Sequence, residues 1–174
     1  KRFSLTPKDV LGPNGVVDGV KAMRDCGKVG FFGFSGLGDP PALHELVESG
    51  EFQGFQCYYN LLNPSAGQAV PAAFGALDYG RILVRAAAKG MGAFVIRVLA
   101  AGALTADPSK GGGSGQTLSP GSDYASDLQR AEKVKTALNV QGKDLTQAAI
   151  RFGLMNQNVS TVLVGFSNVT HVDE

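Results

Sequence analysis

The chain has 174 residues, with 44% hydrophobic and 18% charged, enough apolar mass for one buried core and too much for a disordered segment. Sixteen basic and fifteen acidic residues leave a net charge of +1, and no Lys/Arg run occurs, which argues against a nucleic-acid or polyanion partner. No apolar stretch reaches the roughly 18 residues of a membrane span, and no apolar h-region follows Lys1-Arg2-Phe3-Ser4, so neither a span nor a signal peptide is expected.

Residues 1–13 read as a leading segment. Asn14 is expected to cap a helix carrying Val17, Val20 and Met23, with Gly27 just past its end. Lys28–Ser35 reads as a strand apolar on both faces, and Gly36-Leu37-Gly38-Asp39 as a tight turn. Asp39 before Pro40 and Pro41 predicts a capped helix carrying Leu43, Leu46 and Val47 and stopping at Gly50. Phe55–Tyr59 is the second strand. Its two tyrosines alternate, so one faces helices as core. Asp78 is expected to cap a helix running through Ile82, Leu83 and Ala86–Ala88, and Ala93–Leu99 is the third strand.

Residues 106–122 are rich in Gly, Ser and Pro and read as a mobile loop, either a lid or a solvated connection. Helices follow near 123–139 and 144–156, then a fourth strand at Thr161–Val164. Gly165 and the polar run from Ser167 form a strand, a turn and a new helix start, where backbone N–H groups suit a phosphate. The chain stops in that helix and begins without Met, which reads as a piece of a longer parent. Both-face apolar strands separated by helices predict an α/β fold with a parallel sheet, suiting half a barrel or a small open sheet.

Cys26 and Cys57 lie far apart in sequence, as in a reduced, cytoplasmic protein. With His44 and His171 they make no zinc pattern, and no metal site is expected. His44, beside Glu45, reads as a surface residue. Gly111–Gly115 has no Gly-Lys-Ser/Thr ending, and Gly33–Gly38 has its glycines at the wrong offsets for a dinucleotide fingerprint. No Ser/His/Asp triad can be placed. On the residues alone, Gln56 is a solvated strand-end cap or a ligand-binding amide, Ser35 a turn cap or a ligand contact, and His171 simply exposed or a ribose-phosphate contact.

Four segments together resemble the C-terminal half of the aldo-keto reductase family. They are Lys28–Ser35; Phe55–Asn63 with its Gln56 and Tyr59-Asn60; Val98-Leu99-Ala100-Ala101-Gly102-Ala103-Leu104-Thr105; and Leu145–Phe152 continuing to Val164–Asn168. The resemblance implies the C-terminal half of a (β/α)8 TIM barrel, four parallel βα units in one domain, binding NADP or NAD at the strands' C-terminal ends. It implies that Ser35 and Gln56 hold the nicotinamide carboxamide and that Leu99, Gly102 and Leu104 lie along the pyrophosphate. Gly165, Ser167 and His171 would surround the 2′-phosphate or ribose, with Asp173 and Glu174 toward the adenine.

The chain departs from the family's pattern in places. Gly36 stands where Asn usually follows the serine, and Ile96 or Arg97 takes the place of the aromatic that stacks on nicotinamide. The catalytic Asp, Tyr, Lys and His of the family fall before the first helix here, and none of Tyr58, Tyr59, Tyr79 or Tyr124 matches the acid's place, so no catalytic residue is assigned. The implied activity is hydride transfer between the nicotinamide and aldehydes, ketones, sugars or alcohols, with this chain alone nearly inactive. The alternative is a non-catalytic half-barrel that binds a nucleotide or a partner subunit. An unpaired half-barrel is expected to self-associate or to take a partner half.

Overall fold

The computed structural model describes residues 5–111, 123–166 and 168–173. Their order is α1 (Pro7–Leu11), α2 (Val16–Asp25), β1 (Gly33–Gly36), α3 (Pro40–Glu48), β2 (Gly54–Tyr58), α4 (Ile82–Ala88), β3 (Gly92–Ile96), α5 (Tyr124–Leu138), α6 (Lys143–Leu154), β4 (Thr161–Val162) and α7 (Thr170–Asp173). The strands form one sheet in the order β1-β2-β3-β4, and every pairing is parallel. Each helical connection returns the chain to the strand beside the one it left, as parallel pairing demands. The expected α/β class with four parallel strands is the observed one.

Alternation along the strands divides the sheet into two unlike faces. One carries Phe55 and Cys57 from β2 and Ala93 and Val95 from β3, all buried. Leu43, Leu46 and Val47 of α3 and Ile82, Leu83 and Ala86 of α4 join them in one core. The other face runs in level rows. Gly33, Gly54 and Gly92 form one, Ser35, Gln56, Phe94 and Thr161 the next, and Tyr58 and Ile96 a third. A Cβ at Gly33 would run into the backbone carbonyl of Gly54, so the first row needs glycine for close approach of β1 to β2. A second core gathers Leu62, Ala103, Leu104, Ala131, Leu145 and Ala149 beneath α5 and α6.

Several local expectations are corrected. Lys28–Ser35 is not a strand buried on both faces. Only Gly33–Gly36 pairs, and Phe31 is 83% exposed because no described element covers that face. Asn14 does not cap α2. Its backbone adopts φ +59°, its N–H donates to Asp18 Oδ2 at 2.8 Å, and Gly15 takes the cap position. Asp78 does not cap α4 either. Its side chain folds onto the Gly80 N–H at 2.8 Å, a local turn that competes with capping, and Arg81 takes the cap in left-handed backbone. The third strand ends at Ile96 rather than Leu99, because Arg97 turns to φ +59°.

Other expectations hold. Asp39 accepts from the Ala42 N–H ahead of a helix that opens on Pro40. Gly27 follows α2 at φ +74°, where glycine costs least. The 106–122 segment contains a 3-10 turn at Pro108–Lys110, and its residues 112–122 lie outside the described residues. An unexpected short helix, α1, lies in the leading segment. Thr6 and Asp9 build a capping box there, with the Asp9 carboxylate accepting from the Thr6 N–H at 2.8 Å and the Thr6 hydroxyl accepting from the Asp9 N–H.

Candidate functional site

Register brings Ser35 and Gln56 side by side. β1 and β2 pair in parallel with Ser35 opposite Gln56, and the serine hydroxyl donates to Gln56 Oε1 at 3.4 Å. That contact engages the amide oxygen and leaves the Gln56 NH₂ with no partner among the described residues. A half-buried primary amide with two free donors suits an amide or carbonyl oxygen on a ligand. A cavity of about 750 Å³ lies over this face, with Ser35, Gln56, Gly33, Gly54, Phe31 and Phe94 in its lining. Gln56 and Ser35 stand at the cavity's edge nearer the strands' C-terminal ends, and the glycine row lies at the other.

Leu99, Gly102 and Leu104 share one tight turn just past β3. Ala100, Ala101 and Gly102 all have positive φ, at +47°, +53° and +104°. The turn closes on itself, since the N–H groups of Gly102 and Leu104 both donate to Leu99 O, at 2.9 and 3.2 Å. Leu104 is fully buried, so its side chain belongs to the second core. The base of the turn is pinned from β2's side. Asn60 Nδ2 donates to Arg97 O at 2.9 Å, while Asn60 Oδ1 accepts from the N–H groups of Leu62 and Asn63 at 2.9 Å each. Asn63 and Ser65 continue this buried network to Leu77 O and to the Tyr79 N–H. Asn60 was legible only as part of the Tyr-Asn motif. Its role as a pin depends on Arg97 arriving beside it from 37 residues away.

Gly165 is exposed and follows β4, and Ser167 lies outside the described residues. His171 is exposed in the first turn of α7. Its N–H donates to Asn168 Oδ1 at 3.1 Å, and its Nε2 lies 2.9 Å from Asn168 Nδ2. Asn168 therefore already occupies a backbone donor that a phosphate at this helix start would use. The candidates thus fall in three places on the C-terminal side of the sheet: the Ser35–Gln56 pair, the turn after β3, and the segment after β4.

Two titratable groups packed at the sheet are pushed toward their neutral forms. Burial pushes the Cys57 thiol up to about 12. Burial, then the neighbouring Tyr58 and Cys57, raises Tyr79 well above the ordinary phenol range. Tyr59 is buried and stacks on Phe152 with ring centroids 4.8 Å apart. The Tyr124 hydroxyl donates to Pro108 O at 2.7 Å. His44 is corrected from a surface residue. It is half-buried against the turn before α4, with Nε2 3.0 Å from Tyr79 O, and a carbonyl partner requires that nitrogen to carry the proton. Among the described residues no cluster of His, Cys, Asp and Glu could hold a metal ion, and no helix is long and apolar enough to cross a membrane.

No curated protein matches the chain. The model of the Aldo/keto reductase family matches residues 8–174. That span takes in all four strands, the Ser35–Gln56 pair and the turn after β3. The chain belongs to the aldo/keto reductase family, a family of oxidoreductases.

Proposed function

We propose that this chain is the cofactor-holding, C-terminal half of a (β/α)8 barrel in an NADP- or NAD-dependent oxidoreductase of carbonyl compounds, sugars or small alcohols. The observation that carries the reading is the Ser35–Gln56 pair, level on neighbouring parallel strands, with the glutamine NH₂ open. A nicotinamide carboxamide offers the complementary oxygen for that amide and an NH₂ for the serine oxygen. When bound, the nicotinamide supplies the hydride that reduces a carbonyl carbon. This chain's residues bind and orient it. Gln56 and Ser35 fix the ring, Leu99 to Leu104 line the path of the pyrophosphate, and Gly165 and His171 lie toward the ribose end, the part that the resemblance also gives to Ser167.

Three of the chain's four tyrosines make poor proton donors. Tyr79 and Tyr59 are buried, and Tyr124 is tied to Pro108. Little or no turnover is expected from this chain alone. Fluorescence titration with NADPH and NADH, alongside a turnover assay with a reactive aldehyde, tests the reading. Binding of one nucleotide, weakened about tenfold in Gln56→Ala, is the expected result, about 1.4 kcal/mol. Absence of binding to both nucleotides would end it, and turnover by this chain would mean that another acid serves.

One observation favours a second reading, a half-barrel that associates with another copy or a partner subunit. Phe31 and Phe94 are 83% and 41% exposed on the open sheet face. Sedimentation velocity separates the two, since a monomer at tens of micromolar rules out self-association.

A further inference from the structure

We propose that Arg97 is a receptor for an oxyanion, a phosphate or carboxylate group of a ligand bound at the C-terminal end of the sheet. The inference rests on reading that end as the ligand site. Three observations on the turn after β3 carry it.

First, the backbone there has little left to offer an anion. Five donors are consumed inside the turn, and the Ala101 N–H is not among them. The N–H groups of Ala100, Gly102, Ala103, Leu104 and Thr105 donate to Arg97 O, Leu99 O, Ala100 O, Leu99 O and Gly102 O. A phosphate or carboxylate arriving here must find its positive charge on a side chain.

Second, Arg97 is the one half-buried cation among the described residues whose charge is not paired within the chain. Among the described Lys and Arg side chains, those not exposed are Lys21, Arg97, Arg130 and Lys135. Lys21 pairs with Glu51 at 2.6 Å, Arg130 with Asp127 at 2.7 Å and Lys135 with Glu132 at 3.3 Å. The Arg97 guanidinium makes no hydrogen bond or ion pair with any described residue. Its five N–H donors therefore stay open to solvent or to an acceptor on a ligand.

Third, the residue is held in place at a cost. Its backbone is left-handed, at φ +59°, which a long side chain adopts only when its surroundings impose it. They do so here through two donors on one carbonyl, since Asn60 Nδ2 and the Ala100 N–H each lie 2.9 Å from Arg97 O. Strain of this kind gathers where a side chain must be presented in one direction. A planar fork so presented suits bidentate recognition of phosphate or carboxylate.

The test compares the unaltered chain with Arg97→Asn and Arg97→Lys. Asparagine is among the residues that best accept left-handed backbone, so it removes the charge with the turn retained. A melting temperature within a few degrees of the unaltered chain's checks this. Calorimetric titrations at low salt use three probes, inorganic pyrophosphate, oxalate and NADPH. At least one should bind the unaltered chain, tenfold or more weaker in Arg97→Asn and intermediate in Arg97→Lys. Loss with pyrophosphate and NADPH assigns the anion to a nucleotide phosphate, and loss with oxalate alone to a substrate carboxylate. Should Arg97→Asn not fold, the arginine Nε–H resonance absent from Arg97→Lys must shift when the binding probe is added to the unaltered chain. Failure of all three probes to bind, equal affinities in both variants, or an unmoved resonance overturns the proposal. Pyrophosphate binding through Arg97 without any NADPH or NADH affinity would keep it while ending the nucleotide reading.

Discussion

The two faces of the sheet are made from the same four strands and follow opposite rules. On the helix-covered face, Phe55, Cys57, Ala93 and Val95 are at most 1% exposed, and packing decides every residue. On the open face, three glycines lie beside a serine, a glutamine and a phenylalanine that remains 41% exposed. The first face holds the fold together. The second contributes little to stability and keeps its polar atoms available. The difference shows how one parallel sheet keeps binding chemistry apart from its structural core.

Perturbing each face in turn should break this division or sharpen it. Leu83, fully buried under the covered face, should cost the most. Leu83→Ala is expected to lose about 2–5 kcal/mol in urea unfolding, and a loss under 1 kcal/mol would mean that this core is loosely packed. Alkali should come next. The Cys57 thiol sits near 12 in the folded chain against an ordinary 9.0, and Tyr79 is raised in the same direction from 10.0. An unfolded chain loses these protons first, so stability should be complete below pH 9 and fall above it. The slope from Cys57 is roughly 1.4 kcal/mol per pH unit, and it should vanish in Cys57→Ala.

Asn60→Ala removes the pin between β2's end and Arg97. It should cost about 1–3 kcal/mol, because it strands the Leu62 N–H and leaves the Asn63 N–H with only the backbone carbonyl of residue 60. The open face should answer least. Phe94→Ser and Gln56→Ala are each expected to change stability by under about 1 kcal/mol, as exposed or half-exposed sites do. A larger loss in dilute solution would show that the open face is covered by another copy of the chain.

Much of the covered face was legible in the sequence. Leu43, Leu46 and Val47 recur at helical spacing after an Asp-Pro-Pro start, and a cap and a period agree there. The open face was less so. Phe31, Phe32 and Phe34 read as a strand buried on both sides, because an apolar residue looks the same whether or not anything covers it. Caps were misplaced at Asn14 and Asp78 for two reasons, since Asn14 takes left-handed backbone with its N–H on Asp18, while Asp78 turns its side chain onto the Gly80 N–H. A short polar side chain such as that of Asp78 bonds its own loop as readily as a helix end. His44 looked like a surface residue because its partner, Tyr79 O, lies 35 residues away. Ser35 and Gln56 were singled out by motif, but that their side chains meet depends on strand register, which no local pattern fixes. Arg97 gave only the hint that it stands where an aromatic is usual, since neither its left-handed backbone nor its lack of a partner is written in composition or spacing.

The glycine at position 33 has an effect beyond the room it leaves. Sliding the first strand by a single step along the second would bring a phenylalanine ring to the spot where even one methyl group collides with Gly54. The strands are thereby prevented from creeping past one another. A hydroxyl and an amide two residues further along stay level with each other, their alignment enforced by an atom that is missing.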